Sequence, residues 1–241
     1  MRHFSSLPDA ASAFEHIAIS PNILYVGTPV ALLCSENADG SFNLAPMSSV
    51  WALGQTVVLG LSTAGQTGRN LAERPDLVVN FPEPGQWQAV ERLAPLTGRF
   101  PVPEGKRDRS RFEPDKFAAA GVTPQPAELV RPPRVRECPL QFEARTVRMR
   151  TDAAGNFLII EADVLKVHAR QDLVVPGTSY IDPDRWSPLI YNFRHYHGLG
   201  EQLGHSFRSD TPRQQSLETA PPVRRSGGEP PPRRANRRTA R

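Results

Sequence analysis

The chain of 241 residues is long enough for one large domain or two small ones. Its 25 prolines outnumber its 17 glycines, a composition that favours a mainly β fold with many turns over one built on long helices. Two cysteines exclude a disulfide framework, and the N-terminus lacks the apolar run typical of a signal peptide. These features predict a soluble, cytoplasmic protein that does not cross a membrane.

The net charge of +4 is unevenly distributed along the chain. Residues 208–241 contain nine Arg and three carboxylates, a charge of +6, whereas the preceding part carries −2. That part gives no electrostatic reason to expect a nucleic-acid ligand. The Arg- and Pro-rich segment has no aromatic residue and is predicted to be a disordered tail, which leaves contact with nucleic acid or acidic lipid open. The rest of the chain is predicted to form a domain at residues 22–207 and an N-terminal arm at residues 1–21. The arm should contain a short helix at 10–19.

The first half of the domain shows a series of strand signals. Residues 29–35 are continuously apolar after the proline, as in a strand buried on both faces. Asp39 and Gly40 mark a hairpin turn, because glycine adopts the positive φ that a tight turn requires. Further elements are expected as strands at residues 47–53, 56–61 and 77–81 and as a short helix at 70–74.

The second half of the domain combines an irregular segment with a hairpin. Residues 82–136 are rich in proline and predict an extended excursion, with helices at 83–93 and 109–120. Residues 140–150 and 157–167 predict a long hairpin joined by an Asp-Ala-Ala-Gly turn.

A first candidate site lies at residues 43–49, Asn-Leu-Ala-Pro-Met-Ser-Ser, where the chain enters a strand. Pro46 lacks a backbone donor and restricts the residue before it, which favours an extended, exposed backbone. Such a backbone can pair with the edge of a planar heterocycle, and Asn43, Ser48 and Ser49 add polar groups without bulk. An ordinary strand entry explains the same pattern without a ligand.

A second candidate site lies at residues 62–70, which run from a strand into the short helix. The first N–H groups of a helix have no internal partner, and the helix dipole makes that end partly positive. Glycines would let a phosphate approach, and hydroxyl groups with Arg69 would complete its surroundings. A helix N-terminus capped by Ser62 or Thr67 is the alternative without a ligand.

A third segment, residues 191–200, is rich in aromatic residues and histidines. His195 and His197 would share one face of a strand, so a metal site is conceivable, but Glu201 is a weak third ligand. Aromatic rings lining a planar ligand or a subunit interface are the favoured interpretation. No nucleophile elbow or carboxylate pair is present, so we expect the chemistry to come from a cofactor.

Together these segments resemble the flavin-reductase-like FMN-binding family, whose fold is the split β-barrel, over residues 22–207. The resemblance rests on their order in the chain: TPVALLCSENADGSFNLAPMSSVWAL, then QTVVLGLSTAGQTGRNLAERPDLVVNFP, the hairpin at 140–167, and PLIYNFRHYHGLG. The excursion at residues 82–136 is longer than in a minimal member and would cover the flavin or enlarge a dimer contact.

The resemblance implies the residues that bind the cofactor. Family members hold the isoalloxazine ring with the Asn-Leu-Ala-Pro-x-Ser segment, which here supplies Asn43, Ala45, Pro46, Met47, Ser48 and Ser49. The phosphate-binding turn of the family often reads Lys-Asp-Thr-x-x-Asn, and Thr67 and Asn70 match its Thr and Asn. Gly65 and Gln66 replace the Lys and Asp, so Arg69 is the candidate that compensates for the missing cation.

The resemblance also implies a function and partners. It predicts an NAD(P)H:flavin reductase, a homodimer in which a nicotinamide, from NADH or NADPH, delivers hydride to bound FMN and reduced flavin passes to an acceptor such as a monooxygenase. No acid or base residue is required. An FMN-binding electron carrier that never meets a nicotinamide is one alternative. Haem or another planar ligand, with His195 or His197 as an axial ligand, is another.

Overall fold

The computed structural model describes residues 16–204 and 206. The tail predicted at 208–241 and most of the N-terminal arm lie outside these residues, and residues 16–19 of the predicted helix are not helical. The strands, in chain order, are β1 (Val26–Pro29), β2 (Ala31–Glu36), β3 (Phe42–Met47), β4 (Val50–Leu53), β5 (Thr56–Ser62), β6 (Asp76–Phe81), β7 (Leu96–Thr97), β8 (Arg111–Phe112), β9 (Pro124–Gln125), β10 (Arg134–Val135), β11 (Leu140–Thr151), β12 (Phe157–Ala169), β13 (Ile190–Asn192) and β14 (His195–His197). The α-helices are α1 (Gln66–Glu73), α2 (Trp87–Leu93) and α3 (Lys116–Ala120).

Seven antiparallel strands form one sheet in the order β3-β2-β6-β11-β12-β5-β4. Its two edge strands, β3 and β4, are joined by Ser48 and Ser49 alone, so Met47 and Val50 are at most about 11 Å apart. A flat sheet of seven strands would separate them by roughly 29 Å. The sheet therefore curls into a barrel, and it stays open at the seam because β3 and β4 do not pair with each other.

Strand β2 is buried on both faces, as its continuous apolar sequence predicted. Leu33 faces a core inside the barrel, and Leu32 and Cys34 face a second core outside it. Helices α2 and α3 cover that outer face with apolar side chains such as Leu93 and Phe117. The excursion is therefore a layer packed on the barrel, and this packing brings its residues beside β3.

A buried carboxylate also fastens the excursion to the sheet. Glu143 on β11 accepts hydrogen bonds from the backbone N–H groups of Glu128 and Leu129, at 2.9 and 2.6 Å, and lies 2.6 Å from His168 Nε2. Burial alone would raise the pKa of Glu143, but these three partners outweigh it and hold the pKa below its ordinary value.

Most predicted elements are confirmed, and two more needed correction besides the N-terminal helix. The predicted strand at 47–53 is interrupted between β3 and β4 at the barrel seam. The predicted helix at 109–120 is wrong before Lys116, because Pro114 disfavours helical backbone at the preceding residue and the Asp115 side chain caps α3 by accepting from Ala118 N–H. No helix of the described residues is long and apolar enough to cross a membrane.

Candidate functional site

A cavity of about 650 Å³ lies against the barrel seam. Its walls come from five parts of the chain: the segment around β1, β3 with the following link, the end of β5 with the turn before α1, the excursion, and β13 with β14. This volume lies within the range of about 300–1,000 Å³ that is typical of small-molecule pockets. We call it the seam cavity.

The first predicted motif forms one wall of the seam cavity. All six of its candidate residues line the cavity, namely Asn43, Ala45, Pro46, Met47, Ser48 and Ser49. Strand β3 pairs with β2 on one side only, so the backbone groups on its other edge have no strand partner. A proline is tolerated at such an edge, where its missing N–H breaks no ladder. The exposed backbone edge predicted for this segment is thus present at the cavity.

The second motif reaches the same cavity through the N-terminus of α1. Gly65 is the N-cap residue and provides no side-chain cap, so neither Ser62 nor Thr67 caps the helix. Gly65, Gln66, Thr67 and Gly68 all line the cavity. An uncapped first turn presents backbone N–H donors and the positive end of the helix dipole, a combination that favours an anion.

A hydrogen bond joins the two motifs. Asn43 Nδ2 donates to Thr67 Oγ1 at 3.0 Å, and these residues are only 2% and 5% exposed. Because the Thr67 oxygen accepts this bond, its own hydroxyl hydrogen can be donated to a bound group. Asn43 Oδ1 is buried and has no hydrogen-bond partner among the described residues. A buried acceptor without a partner is costly, and a ligand hydroxyl or N–H would satisfy it.

Two of the predicted residues, Arg69 and Asn70, do not line the seam cavity. Asn70 is fully buried, donates to Ser35 Oγ and Asn37 Oδ1 at 3.0 and 2.9 Å, and accepts from Gln66 Nε2 at 2.8 Å. These bonds tie α1 to the β2–β3 hairpin. Arg69 lines a smaller hollow outside the seam cavity, so it does not replace the missing lysine there.

Three cations that the sequence analysis missed line the seam cavity instead: Lys106, Arg109 and Lys116 of the excursion. No carboxylate of the described residues lines it. Lys116 is only 3% exposed, and burial lowers the pKa of its ammonium group to about 8. The only signal in the sequence was the density of basic residues between positions 99 and 116.

Tyrosines form another part of the cavity wall. The rings of Tyr25 and Tyr191 lie 5.5 Å apart, and those of Tyr191 and Tyr196 lie 5.4 Å apart. Tyr196 Oη donates to Glu91 Oε2 at 2.9 Å. The pKa of the Tyr196 phenol is raised, mainly by burial and secondly by this carboxylate. The aromatic lining predicted for this segment is present.

The two histidines of the same hairpin lie elsewhere. His195 and His197 are exposed, and neither is among the described residues that line the seam cavity. Within residues 16–204 and 206, no group of three metal-ligating side chains is assembled, and His205 lies outside that part. The haem alternative therefore finds no axial ligand from these histidines in the cavity wall.

Comparison with known proteins gives a consistent assignment. The sequence profile of the flavin reductase like domain matches residues 24–200. The protein YdfE of Bacillus subtilis (strain 168) is 40% identical over 195 residues, which cover 80% of this chain and 94% of that protein.

Two solved structures share the fold at lower sequence identity. Flavoredoxin of Desulfovibrio vulgaris (Miyazaki F) aligns with a TM-score of 0.67 at 19% identity. The alignment covers 81% of this chain and 99% of flavoredoxin. Nitrilotriacetate monooxygenase component B from Bacillus cereus aligns with a TM-score of 0.63 at 20% identity. The alignment covers 79% of this chain and 99% of that protein.

The fold is a split β-barrel with a cavity at its seam, and three cations line that cavity. The chain belongs to the flavin reductase like domain family. Its cofactor is accordingly a flavin, and its activity is of the flavin reductase kind. The residues present fit this group, because an uncapped helix end and three cations suit a phosphate, and the unpartnered Asn43 Oδ1 suits a ribityl hydroxyl. The role of each residue in binding flavin stays a prediction.

Proposed function

We propose that the protein binds FMN in the seam cavity and reduces it with NADH or NADPH. The observation that carries this proposal is the hydrogen bond between Asn43 and Thr67. It holds an exposed strand edge, which suits the flavin ring, and an uncapped helix N-terminus, which suits the phosphate, against one cavity. The bound flavin supplies the ring that accepts a hydride and passes electrons on to an acceptor.

The phosphate would bind where the positive charge is concentrated. The first N–H groups of α1 and the Thr67 hydroxyl would donate to it, and Lys106 and Arg109 would add full charges. Lys116 is buried, and an ammonium group removed from water interacts more strongly with an anion than a solvated one does.

The isoalloxazine ring would lie along the backbone from Ala45 to Ser49. Backbone N–H groups on the free edge of β3 and in the link can donate to the ring edge and stabilise negative charge that develops there. The wall containing Tyr191 and Tyr196 excludes water from one side of the site. This chain needs no acid or base residue for a hydride transfer, and its contribution is to bind, orient and shield the reacting groups.

We further propose that the protein acts as a homodimer. Strand β4 is an edge strand beside the seam, and its Trp51 and Leu53 side chains are 57% and 77% exposed. An open strand edge with large exposed apolar side chains is a surface that proteins usually cover. Light scattering of the purified protein should give twice the chain mass, and a monomer at micromolar concentration would contradict the proposal.

Spectroscopy and a nicotinamide oxidation assay test the function. We expect the protein to bind FMN, to become yellow, and to oxidise NADH or NADPH in the presence of FMN. Asn43→Ala should lose most of this activity, whereas Phe157→Ala, an exposed aromatic outside the cavity, should keep it.

The outcomes of this test separate the alternatives. FMN binding without oxidation of either nicotinamide would replace the reductase with an electron carrier. A protein that binds no flavin would contradict the proposal as a whole, and a red preparation would indicate haem.

A further inference from the structure

The hairpin of β13 and β14 borders the seam cavity at the Met47 end of β3. Val30 N–H donates to Leu189 O, just before β13, at 2.8 Å. The next residue, Ala31, pairs with Met47. Asn43, which is bonded to the first turn of α1, lies four residues before Met47, about 13 Å away along the strand. The hairpin is therefore close to the proposed ring position and distant from the proposed phosphate position.

The cations of the excursion are gathered at the other end of the cavity. Arg99 Nη1 donates to Ala64 O, in the turn before α1, at 3.3 Å. The pKa of Lys106 is lowered by burial and then by the nearby charges of Arg99 and Arg109, so these three cations lie together. An anionic group bound near the ring would need a different cation.

The tip of the hairpin holds two bulky residues in the left-handed region of backbone conformation. Phe193 has a φ of 44° and Arg194 a φ of 69°. A two-residue turn of this kind favours glycine, asparagine and aspartate, because a larger side chain crowds the backbone there. Phe193 N–H donates to Tyr25 O at 2.8 Å, which fixes the tip beside the cavity wall. Strained residues of this kind are concentrated at functional sites, where a particular side chain has to be presented.

Arg194 presents a cation without a partner at the rim of the cavity. Its side chain is exposed, and its guanidinium forms no hydrogen bond or ion pair with the described residues. Burial raises the pKa of Tyr191 in the cavity wall, and the charge of Arg194 opposes this rise, so the two groups are close. Glu91 also acts on this phenol, but it accepts from Tyr196 and does not pair with Arg194. A free guanidinium is well suited to a phosphate.

We propose that Arg194 binds a phosphate group of the nicotinamide dinucleotide whose nicotinamide meets the flavin ring. The inference rests on the proposed function, which places the ring at the Met47 end of β3. A dinucleotide bound there has to hold its phosphates away from the flavin phosphate, because like charges repel. Arg194 would compensate their charge at that end of the cavity. NADH and NADPH share a pyrophosphate, and NADPH adds a 2′-phosphate, so the two sources can be distinguished.

Steady-state oxidation of NADH and of NADPH at saturating FMN tests the inference. Arg194→Gln should raise KM about tenfold, because a charge-assisted contact is lost, while kcat and FMN affinity change less than twofold. Equal increases in KM for both dinucleotides would place the pyrophosphate at Arg194, and an increase for NADPH alone would place the 2′-phosphate there. Arg150→Gln is the matched control: it removes an exposed arginine outside the cavity that forms no ion pair with the described residues, and it should leave KM unchanged.

The variant Arg194→Gly separates binding from folding. Glycine adopts a positive φ without steric strain, so this variant should melt at or above the temperature of the wild type. It should nevertheless show the same increase in KM as Arg194→Gln. A rise in KM caused by a damaged hairpin would instead come with a lower melting temperature, and that result would contradict the inference.

The remaining outcomes each overturn a defined statement. An unchanged KM in both Arg194 variants, or a fall in kcat at constant KM, would refute the phosphate contact and leave the reductase as proposed. A parallel loss of FMN affinity would make Arg194 a flavin ligand and would also refute the inference. A wild type that binds FMN but oxidises neither nicotinamide would overturn the proposed reductase, and the inference with it.

Discussion

Replacing Lys116 by Met should have opposite effects on stability and on flavin binding. Lys116 is buried in the wall of the seam cavity and forms no ion pair or hydrogen bond with the described residues. Its positive charge is therefore held away from water and near the cation of Lys106, at a cost to the folded state. Such a cost persists in an active site when the charge is needed for function.

The magnitude follows from the pKa of the side chain. Burial lowers the pKa of Lys116 from 10.5 to about 8, a difference equivalent to about 3 kcal/mol. Between these two pH values the unfolded chain binds more protons than the folded one, so the stability of the wild type rises with pH. The destabilisation is complete below pH 8 and is gone above 10.5. Lys116→Met has no such group and should be more stable at pH 7 by up to about 3 kcal/mol.

Urea unfolding of flavin-free wild type and variant, at several values of pH between 7 and 10.5, measures this difference. We expect the stability advantage of Lys116→Met to shrink steadily above pH 8. Flavin titration at pH 7 should show the reverse effect, with an affinity about tenfold lower in the variant, because a charge-assisted contact is lost. A variant that is less stable at pH 7, or an advantage that does not vary with pH, would refute the reasoning.

Three further substitutions test the site and its support. Asn43→Ala removes the amide that joins the two motifs, and flavin titration should show a loss of about 1–3 kcal/mol in binding free energy while the melting temperature changes little. Asn70→Ala leaves Ser35 Oγ and Asn37 Oδ1 without the amide that donates to them. Urea unfolding should show a loss of about 1–3 kcal/mol in the free energy of unfolding. Glu143→Gln should destabilise the protein at pH 7, and this destabilisation should shrink as the pH falls below the ordinary pKa of a glutamate, because the lowered pKa of Glu143 stabilises the fold only while the carboxylate is ionised. Acid unfolding curves of wild type and variant that fall in parallel would contradict this last expectation.

Local pattern explains why so much of the barrel was predictable. The long hairpin of β11 and β12, the Asp-Gly turn before β3 and the burial of β2 each depend on residues close together in the chain. Alternating or continuous apolar residues and positive-φ turns carry that information directly. The helix predicted at 109–120 begins only at Lys116, because Pro114 disfavours helical backbone before it although its neighbours favour a helix.

The candidate site was predictable only in part. The sequence placed an exposed strand entry at residues 43–49 and the start of a short helix within residues 62–70, and the structure brings both to one cavity. The sequence analysis assigned the cation that replaces the missing lysine to Arg69, which lies outside the cavity. The motif spacing could not show this, because residues on successive positions of a short helix point in different directions.

By itself, the sequence determined most strands of the seven-stranded sheet, the turns and two of the segments that line the cavity, since each follows from contacts within a few residues. Only the tertiary structure decided which charges line the cavity. Lys106, Arg109 and Lys116 are about 60–75 residues from Asn43 along the chain, and they reach it because α2 and α3 pack on the outer face of β2 and β6. That packing depends on apolar contacts between distant segments, which no local pattern specifies.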